Sequence, residues 1–471
     1  MTHAVNRKAL ALLVAGTFFM ENLDATVVTP AVPAMAKSFH AAPVDLSTGI
    51  SAYMLALGVF IPVSGWAAER FGARRIFASA IVIFTLTSLL CGLARNLPEF
   101  VVARIIQGVG GAMMVPVGRL VVLQETPKDK LVSAIAVLTW PALVAPVLGP
   151  PFGGLIVDHG DWRWIFWLNL PLGALALLGA WRLVPAGAGD ARRSFDWPGF
   201  LLIGSAIFCL MLVAEIMARP HAALGPAAGS LVLGLGLLAL GIRHLRRADH
   251  PMLGLSAMGK PSFAVTIWGG SLFRMGVSAV PFLLPIMFQI GFGYSSFQAG
   301  SLLMAVFAGN LLMKPFTTAV MNRFGMRRVL IVNGALNAAS IAACALFAPG
   351  MPLWLTCAIL FVGGMTRSMQ FTALNTIAFA DIPGPGMADA NTLFSTAFQL
   401  AMGMGISLGA VAWQIGNALS ANGALSAGGD PATPFRIAFL AISAVSVLGL
   451  IDSVTLARDA GSSVLRARQQ S

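Results

Sequence analysis

Long apolar blocks alternate along the chain with short segments that hold most of the charge. Leu46 to Ala68 lies between Asp45 and Glu69, Ile76 to Ala94 between Arg75 and Arg95, and Leu131 to Val157 between Lys130 and Asp158. A helix crossing ~30 Å of hydrocarbon needs about 20 apolar residues, so each block can span a membrane. The same pattern predicts helical spans at 9–33, 46–68, 76–95, 99–123, 131–157, 163–184, 197–217, 226–245, 262–288, 297–320, 329–348, 353–379, 389–418 and 434–457. Two charge-free runs are too long for one crossing. Met275 to Met313 has a turn signal at Gly291–Ser296, and Val329 to Thr366 has one at Pro349–Pro352.

Composition agrees with the pattern. The chain is 57% hydrophobic and 10% charged, against about 25% charged for a soluble domain. The net charge of +12 sits in short loops, so it reads as topology and not as a nucleic-acid surface. With the N-terminus inside, twenty of the thirty Lys and Arg fall in cytoplasmic segments and five in periplasmic ones. That bias sets both termini in the cytoplasm, puts the loop around Arg219 to Leu224 outside, and sets basic loops against anionic lipid. The first apolar run is too long for a signal peptide, and no A-x-A site follows it, so it stays in place as a span. The expectation is a multi-pass protein of the cytoplasmic (inner) membrane. Cys91, Cys209, Cys344 and Cys357 lie in apolar runs with no metal or disulfide spacing, so no metal is expected.

A duplication shows in the loops. Gly65-Trp66-Ala67-Ala68-Glu69-Arg70-Phe71-Gly72-Ala73-Arg74-Arg75 is echoed by Asn322-Arg323-Phe324-Gly325-Met326-Arg327-Arg328, 253 residues later. The same shift carries Ala9, at the start of the first span, to Ser262, at the start of the ninth. The predicted organisation is a six-helix half at 1–190, two inserted helices and a linker at 191–260, and a second six-helix half at 261–471. Such repeats build secondary transporters, with the substrate held between them near the midplane.

Several further motifs follow one another in order. They are Leu23-Asp24-Ala25-Thr26-Val27-Val28, Arg104-Ile105-Ile106-Gln107-Gly108-Val109-Gly110-Gly111, Gly149-Pro150-Pro151-Phe152-Gly153-Gly154, and Trp162-Arg163-Trp164-Ile165-Phe166-Trp167-Leu168-Asn169-Leu170-Pro171. Together with the loop after span two, they make the chain resemble the fourteen-span drug/proton antiporters of the major facilitator superfamily over nearly its whole length. Glu69 stands where that family has Asp, and Ala145 where it has Gly. The resemblance implies an all-α major facilitator fold of two six-helix bundles related by a pseudo-twofold, with two inserted helices. It also implies that Gly65, Glu69, Arg70, Gly72, Arg74 and Arg75 close the cytoplasmic side through charge pairs, and that Gly149, Pro150, Gly153 and Gly154 form a kink that seals the path in exporters. Read as residues alone, the glycines permit tight turns and close helix approach, and the proline a kink.

Charges inside spans are expensive unless paired or facing water. Glu21, Asp24, Arg104 and Arg119 lie in the first half, and Arg274, Lys314 and Arg367 in the second. Glu215 and Asp452 lie near span ends and are set aside as interfacial. Counted from the predicted span ends, Asp24 and Arg104 fall within ~6 Å in depth, close enough to pair. Glu21, three residues from Asp24, shares its helical face. A carboxylate poised between burial and a nearby arginine can load a proton with one face open and release it with the other. Asp24, Arg104 and Glu21 are therefore the candidate proton-coupling residues, and Arg119, Arg274, Lys314 and Arg367 the candidate cavity residues. The shift of 253 also matches Glu21 with Arg274.

The six histidines read as loop or tail residues, and no HExxH, C-x-x-C or P-loop occurs, so neither an enzyme nor an ATPase is expected. The function expected is a proton-coupled exporter of small organic molecules, with a multidrug range among the options. It needs no cofactor beyond a proton gradient and acts as a monomer on small-molecule substrates, protons and lipid. Five buried bases against two acids leave an exporter of organic anions, such as carboxylates or metal chelates, as an alternative. An uptake symporter of the same fold is another.

Overall fold

The computed structural model describes residues 7–41, 45–127, 130–187, 189–190, 194–218, 223–294, 296–421 and 431–465. Every predicted span contains helix, and all regular structure among the described residues is helical. The helices at the first six predicted spans are α1 (Arg7–Val27), the bent pair α2 (Ser47–Phe60) and α3 (Val63–Phe71), α4 (Ala73–Leu93), α5 (Leu97–Glu125), α6 (Leu131–His159) and α7 (Asn169–Leu183). The two helices expected as the inserted pair are α8 (Trp197–Ala218) and α9 (Leu224–Leu245). The helices at the remaining predicted spans are α10 (Pro261–Ile286), α11 (Ser296–Phe324), α12 (Met326–Ala343), α13 (Leu353–Ala380), α14 (Met387–Ala421) and α15 (Thr433–Leu448), with the short α16 (Ile451–Thr455) after a break at Gly449. Among the described residues eleven helices are long and apolar enough to cross a membrane, or twelve if α2 and α3, bent by 59°, form one span. The shortfall from fourteen lies in α6, where several side chains fall outside the described residues, and in α13, whose C-terminal half is rich in buried Thr, Ser, Gln and Asn. Residues 219–222, in the loop expected on the outer side, also lie outside the described residues.

Local chemistry sets the ends. α1 stops at Val27, short of the predicted residue 33, because Pro30 cannot continue its hydrogen bonds, and Pro33 falls in the first turn of a separate short helix, Val32–Phe39. α5 starts at Leu97 on an Asn96 cap. The Asn96 carboxamide oxygen accepts from the Glu99 amide at 2.9 Å, and the Glu99 carboxylate accepts from the Arg95 amide at 2.9 Å. Two histidines correct the sequence reading. His159 and His244 sit in the last turns of α6 and α9, where a basic side chain suits the helix dipole.

Both copies of the repeated loop turn on a glycine with positive φ, +88° at Gly72 and +79° at Gly325. A Cβ at Gly72 would also come within 2.6 Å of the Gly187 carbonyl oxygen, whereas at Gly325 nothing lies within 4 Å. Gly325→Ala is expected to lose roughly 1–3 kcal/mol from backbone strain, and Gly72→Ala more. Parallel thermal melts of the two purified variants check this order.

The helices form two compact units. The first comprises Met1–Phe208, Leu233–Ser256 and Pro383–Thr396. Within it α1 packs on α5, α6 and α7, and α5 on α2 and α4. Asp196, buried at the start of α8, gathers three elements. It accepts from the Gly199 amide at 2.8 Å and the Met252 amide at 3.1 Å, and pairs with His244 Nε2 at 2.8 Å. The second unit comprises Cys209–Val232, Ala257–Ile382 and Ala397–Ser471. There α13 packs on α10, α11 and α12, and α15 on α10 and α12.

Candidate functional site

The first unit holds a buried polar cluster at Asp24 near the end of α1. Arg104, from α5, donates through Nη1 to Asp24 Oδ2 at 2.6 Å and to Gln107 Oε1 at 2.8 Å. Gln107 Nε2 donates to Asp24 Oδ1 at 3.1 Å and to the Ser88 hydroxyl of α4 at 2.7 Å. Asn169, at the start of α7, donates to Asp24 Oδ1 at 2.8 Å and to Ser88 at 3.1 Å. Arg104, Gln107 and Ser88 are fully buried, and Asp24 is 1% exposed. The guanidinium also lies 4.3 Å from the centre of the Tyr53 ring. Burying two charges is unfavourable unless their remaining hydrogen-bond sites are filled; both Asp24 oxygens are filled, whereas Arg104 Nε and Nη2 are buried with no hydrogen-bond partner. The span ends used to estimate depth are displaced in the structure, yet the two residues meet as an ion pair.

Glu21, one turn earlier on α1, is placed differently. Its Oε2 is buried and has no hydrogen-bond partner, and neither does the buried Tyr53 hydroxyl. Both atoms flank Gly111, where an added Cβ would lie 3.4 Å from Glu21 Oε2 and 3.2 Å from the Tyr53 hydroxyl. The Arg119 guanidinium sits over Phe18 at 5.6 Å and over Phe394 at 5.2 Å, and reaches the Ser395 hydroxyl at 3.5 Å. α1 thus carries one carboxylate held by three donors and one with an oxygen free to accept a proton.

The second unit contains the other three in-span bases. Arg274 of α10 is fully buried, donates to the Thr266 carbonyl at 2.9 Å and lies 5.2 Å from the Phe398 ring centre. Lys314 of α11 is 5% exposed and donates to the Thr372 hydroxyl at 2.9 Å. Arg367 of α13 is half-buried and lies 5.7 Å from the Phe371 ring centre. Among the described residues no group of His, Cys, Asp and Glu could hold a metal ion.

The family profile described as Major Facilitator Superfamily matches residues 14–406. The chain belongs to the major facilitator superfamily. As a major facilitator protein it is a multi-pass membrane transporter and not an enzyme. It is 36% identical over 413 residues to the Pectobacterium atrosepticum protein named "Putative multidrug resistance protein MdtD", covering 87% of this chain and 88% of that protein. A Klebsiella pneumoniae protein of the same name is 37% identical over 402 residues, 84% of each chain. Among solved structures the fold is similar to the proton:xylose symporter XylE, with a TM-score of 0.63 at 15% identity over 98% of both chains. It is also similar to the human organic anion transporter MFSD10, with a TM-score of 0.62 at 12% identity over 96% of this chain and 100% of that one.

The motifs of this major facilitator chain lie close to the Asp24 cluster or at helix junctions. Gly149 and Gly153 of α6 pack on α1 just past Asp24. A Cβ at Gly149 would lie 2.2 Å from the Thr26 hydroxyl, and one at Gly153 would lie 2.4 Å from the Val27 carbonyl oxygen. Gly154 faces open space, and the Pro150 side chain lies outside the described residues. Gly65 packs on Thr392, which a Cβ would approach to 2.2 Å. The Glu69 carbonyl accepts from the Asp190 amide at 2.8 Å, and a Cβ on Gly189 would meet the Arg70 carbonyl oxygen at 2.2 Å. Arg74 donates to the Trp181 carbonyl and lies over its ring, while Arg75 is exposed.

Sequence reasoning did not assign Gln107, Ser88, Asn169 or Tyr53 to the site. Gln107 stands one helical turn after Arg104 in a quoted motif, and Tyr53 is one of only two tyrosines in the chain. Those were the available signals. Asp452 is also more than an interfacial charge, because it accepts from the Gly269 amide of α10 at 2.8 Å.

Proposed function

We propose that this transporter is a proton-coupled exporter of small organic molecules in the cytoplasmic (inner) membrane, exchanging substrate for protons. The observation that carries the reading is the pair of unlike carboxylates on α1. Glu21 can take a proton on Oε2 without breaking a hydrogen bond. Asp24 can take one only when Arg104, Gln107 or Asn169 gives up its contact. A proton that arrives at Glu21 and reaches Asp24 only as the Arg104 pair opens ties proton transfer to a change of shape. An exchanger needs that link, since a group that binds protons equally in both states shifts nothing.

Export is supported by the close packing of Gly149 and Gly153 against α1 beside Asp24 and by relatives named for multidrug resistance. The proposal keeps fourteen spans with both termini inside, two six-helix repeats flanking the α8–α9 pair, and no cofactor beyond the gradient. Each chain carries both repeats and works alone, with basic loops set on anionic lipid.

The test is accumulation by inverted vesicles that overproduce the protein, against a panel of cationic dyes and organic acids. The expected result is uptake into the acid lumen that an uncoupler abolishes and that control vesicles lack. Uptake indifferent to the uncoupler, or gradient-driven loss from the lumen, contradicts the reading.

A further inference from the structure

Tyr53 stands beside both carboxylate sites of α1. It lies in α2, 1% exposed, and the face of its ring covers the Arg104 guanidinium at 4.3 Å. Its hydroxyl is buried with no hydrogen-bond partner, and Glu21 Oε2 is in the same condition. Two glycines of α5 bring the two oxygens together. A Cβ at Gly108 would come within 2.6 Å of the Tyr53 carbonyl oxygen. One at Gly111, a turn later, would come within 3.2 Å of the Tyr53 hydroxyl and 3.4 Å of Glu21 Oε2. Gly108 therefore lets the α2 backbone close on α5, and the bare Gly111 lets the phenol reach past α5 toward α1. The hydroxyl and Glu21 Oε2 are no farther apart than the sum of those last two contacts.

Packing alone does not require that hydroxyl. Another ring over Arg104 is Phe166, at 5.9 Å, and a phenylalanine at position 53 would cover the guanidinium as well. Buried polar groups are nearly always hydrogen-bonded, and one that is not calls for a reason, a part in the reaction among them. A phenol hydroxyl donates to carboxylates and binds a charged one most strongly. The titratable or charged groups facing Glu21 and Tyr53 are Asp24 on α1 and Arg104 and Arg119 on α5, with the Cys91 thiol of α4 beside Arg104 and Asp24. Asp24 already has both oxygens filled, so Glu21 is the carboxylate left for Tyr53.

We propose that Tyr53 is the positioning residue that joins the two carboxylates of α1. With Glu21 neutral, the ring rests on Arg104, as it does in this structure, and steadies the bond from Arg104 to Asp24. With Glu21 charged, the hydroxyl turns to donate to Oε2 and carries the ring off the guanidinium, because ring and hydroxyl move as one rigid plane. Arg104 then loses one of the contacts that hold it at Asp24. In the net step an O–H bond on Glu21 Oε2 breaks and one on Asp24 forms, while Tyr53 keeps its own proton. The assignment rests on the proton-exchange reading and names the side chain that ties its two carboxylates together.

The chain has two tyrosines, so Tyr294→Phe leaves Tyr53 as the only one. Tyr294 stands among phenyl rings, 5.9 Å from both Phe288 and Phe292, where a phenylalanine fits. The test is the Raman spectrum of the purified full-length variant in detergent, whose tyrosine ring doublet tells a donating hydroxyl from an unbonded one. Spectra run from about pH 5 to about pH 9, below the ordinary phenol range at about 10. The expected result is an unbonded hydroxyl at the acid end and a strong donor at the alkaline end, with no such change once Glu21→Gln is added. A doublet that stays fixed with pH, or that changes equally with Glu21→Gln, overturns the proposal. If Tyr294→Phe fails to fold, subtracting the Tyr53→Phe spectrum from that of the wild type isolates the same signal. If Glu21→Gln fails to fold, the pH series of the parent decides alone. The measurement uses no gradient, so the two readings fail separately. A donor change in a protein without gradient-driven transport keeps the Tyr53 link and removes the exchange reading, and a fixed doublet in a coupled transporter removes the link alone.

Discussion

Asp24→Asn is expected to abolish gradient-driven accumulation and to lower stability by about 3–5 kcal/mol, the range seen when one partner of a buried ion pair is removed. Asp24 accepts from Arg104, Gln107 and Asn169. An asparagine offers one oxygen for these three donors and turns an NH₂ group toward at least one of them. It also leaves the Arg104 charge fully buried without its carboxylate. Loss of transport in this variant alone would be ambiguous, because an unstable protein also fails to transport. The double variant Asp24→Asn/Arg104→Gln separates the causes. Removing both charges should restore much of the melting temperature, since a buried pair replaced as a whole is often neutral for stability. It should not restore the response to a pH gradient, although exchange of substrate across the membrane persists. Gradient-driven accumulation by the stable double variant would reduce the pair to a clasp between α1 and α5.

Glu21→Gln is expected to remove coupling with little change in stability. Its Oε2 accepts no hydrogen bond, and a carboxamide of the same shape breaks none at that atom. For one-for-one exchange, a gradient of one pH unit supplies about 1.4 kcal/mol and supports roughly a tenfold accumulation ratio. The variant should lose that ratio and only equilibrate substrate, as measured by labelled-substrate accumulation in inverted vesicles alongside a thermal melt. A stable Glu21→Gln protein that keeps the tenfold ratio would leave Asp24 to carry the proton without it.

These effects show which parts of the site the sequence could reveal. Depth along a helix follows from counting residues, so Asp24 and Arg104 could be brought to one level from their spans alone. Their contact survives the error in span ends because a buried carboxylate and a buried guanidinium at similar depth stabilise each other strongly. Partners without charge leave no such trace. Gln107, Ser88 and Asn169 are ordinary polar residues in apolar helices, and only their convergence on Asp24 from α5, α4 and α7 gives them a role. Lys314 shows the same limit, since its partner is the hydroxyl of Thr372 and no acid in the sequence points to it.

The fold divides similarly. Apolar blocks and the repeated Gly72 and Gly325 loops mark helices and their duplication, because hydrophobic length and positive φ are local demands. Helix ends depend on particular breakers, as Pro30 shows after Val27. The gathering of α8, α9 and the Met252 amide by Asp196 depends on side chains far apart in sequence, and the placement of His244 became legible only with that contact.

The central claim is that substrate leaves in exchange for protons through the Glu21 and Asp24 carboxylates. The most direct test places the purified protein in proteoliposomes with an acid lumen and a trapped pH-sensitive dye. Ethidium, benzoate and benzamide are then added outside, and their entry is measured alongside lumen pH. The account predicts that a compound entering through the wild-type protein makes the lumen more alkaline as protons leave, and that Glu21→Gln admits the compound without that change. Entry with no change in lumen pH, entry that acidifies the lumen, or an unchanged proton signal from Glu21→Gln would contradict it.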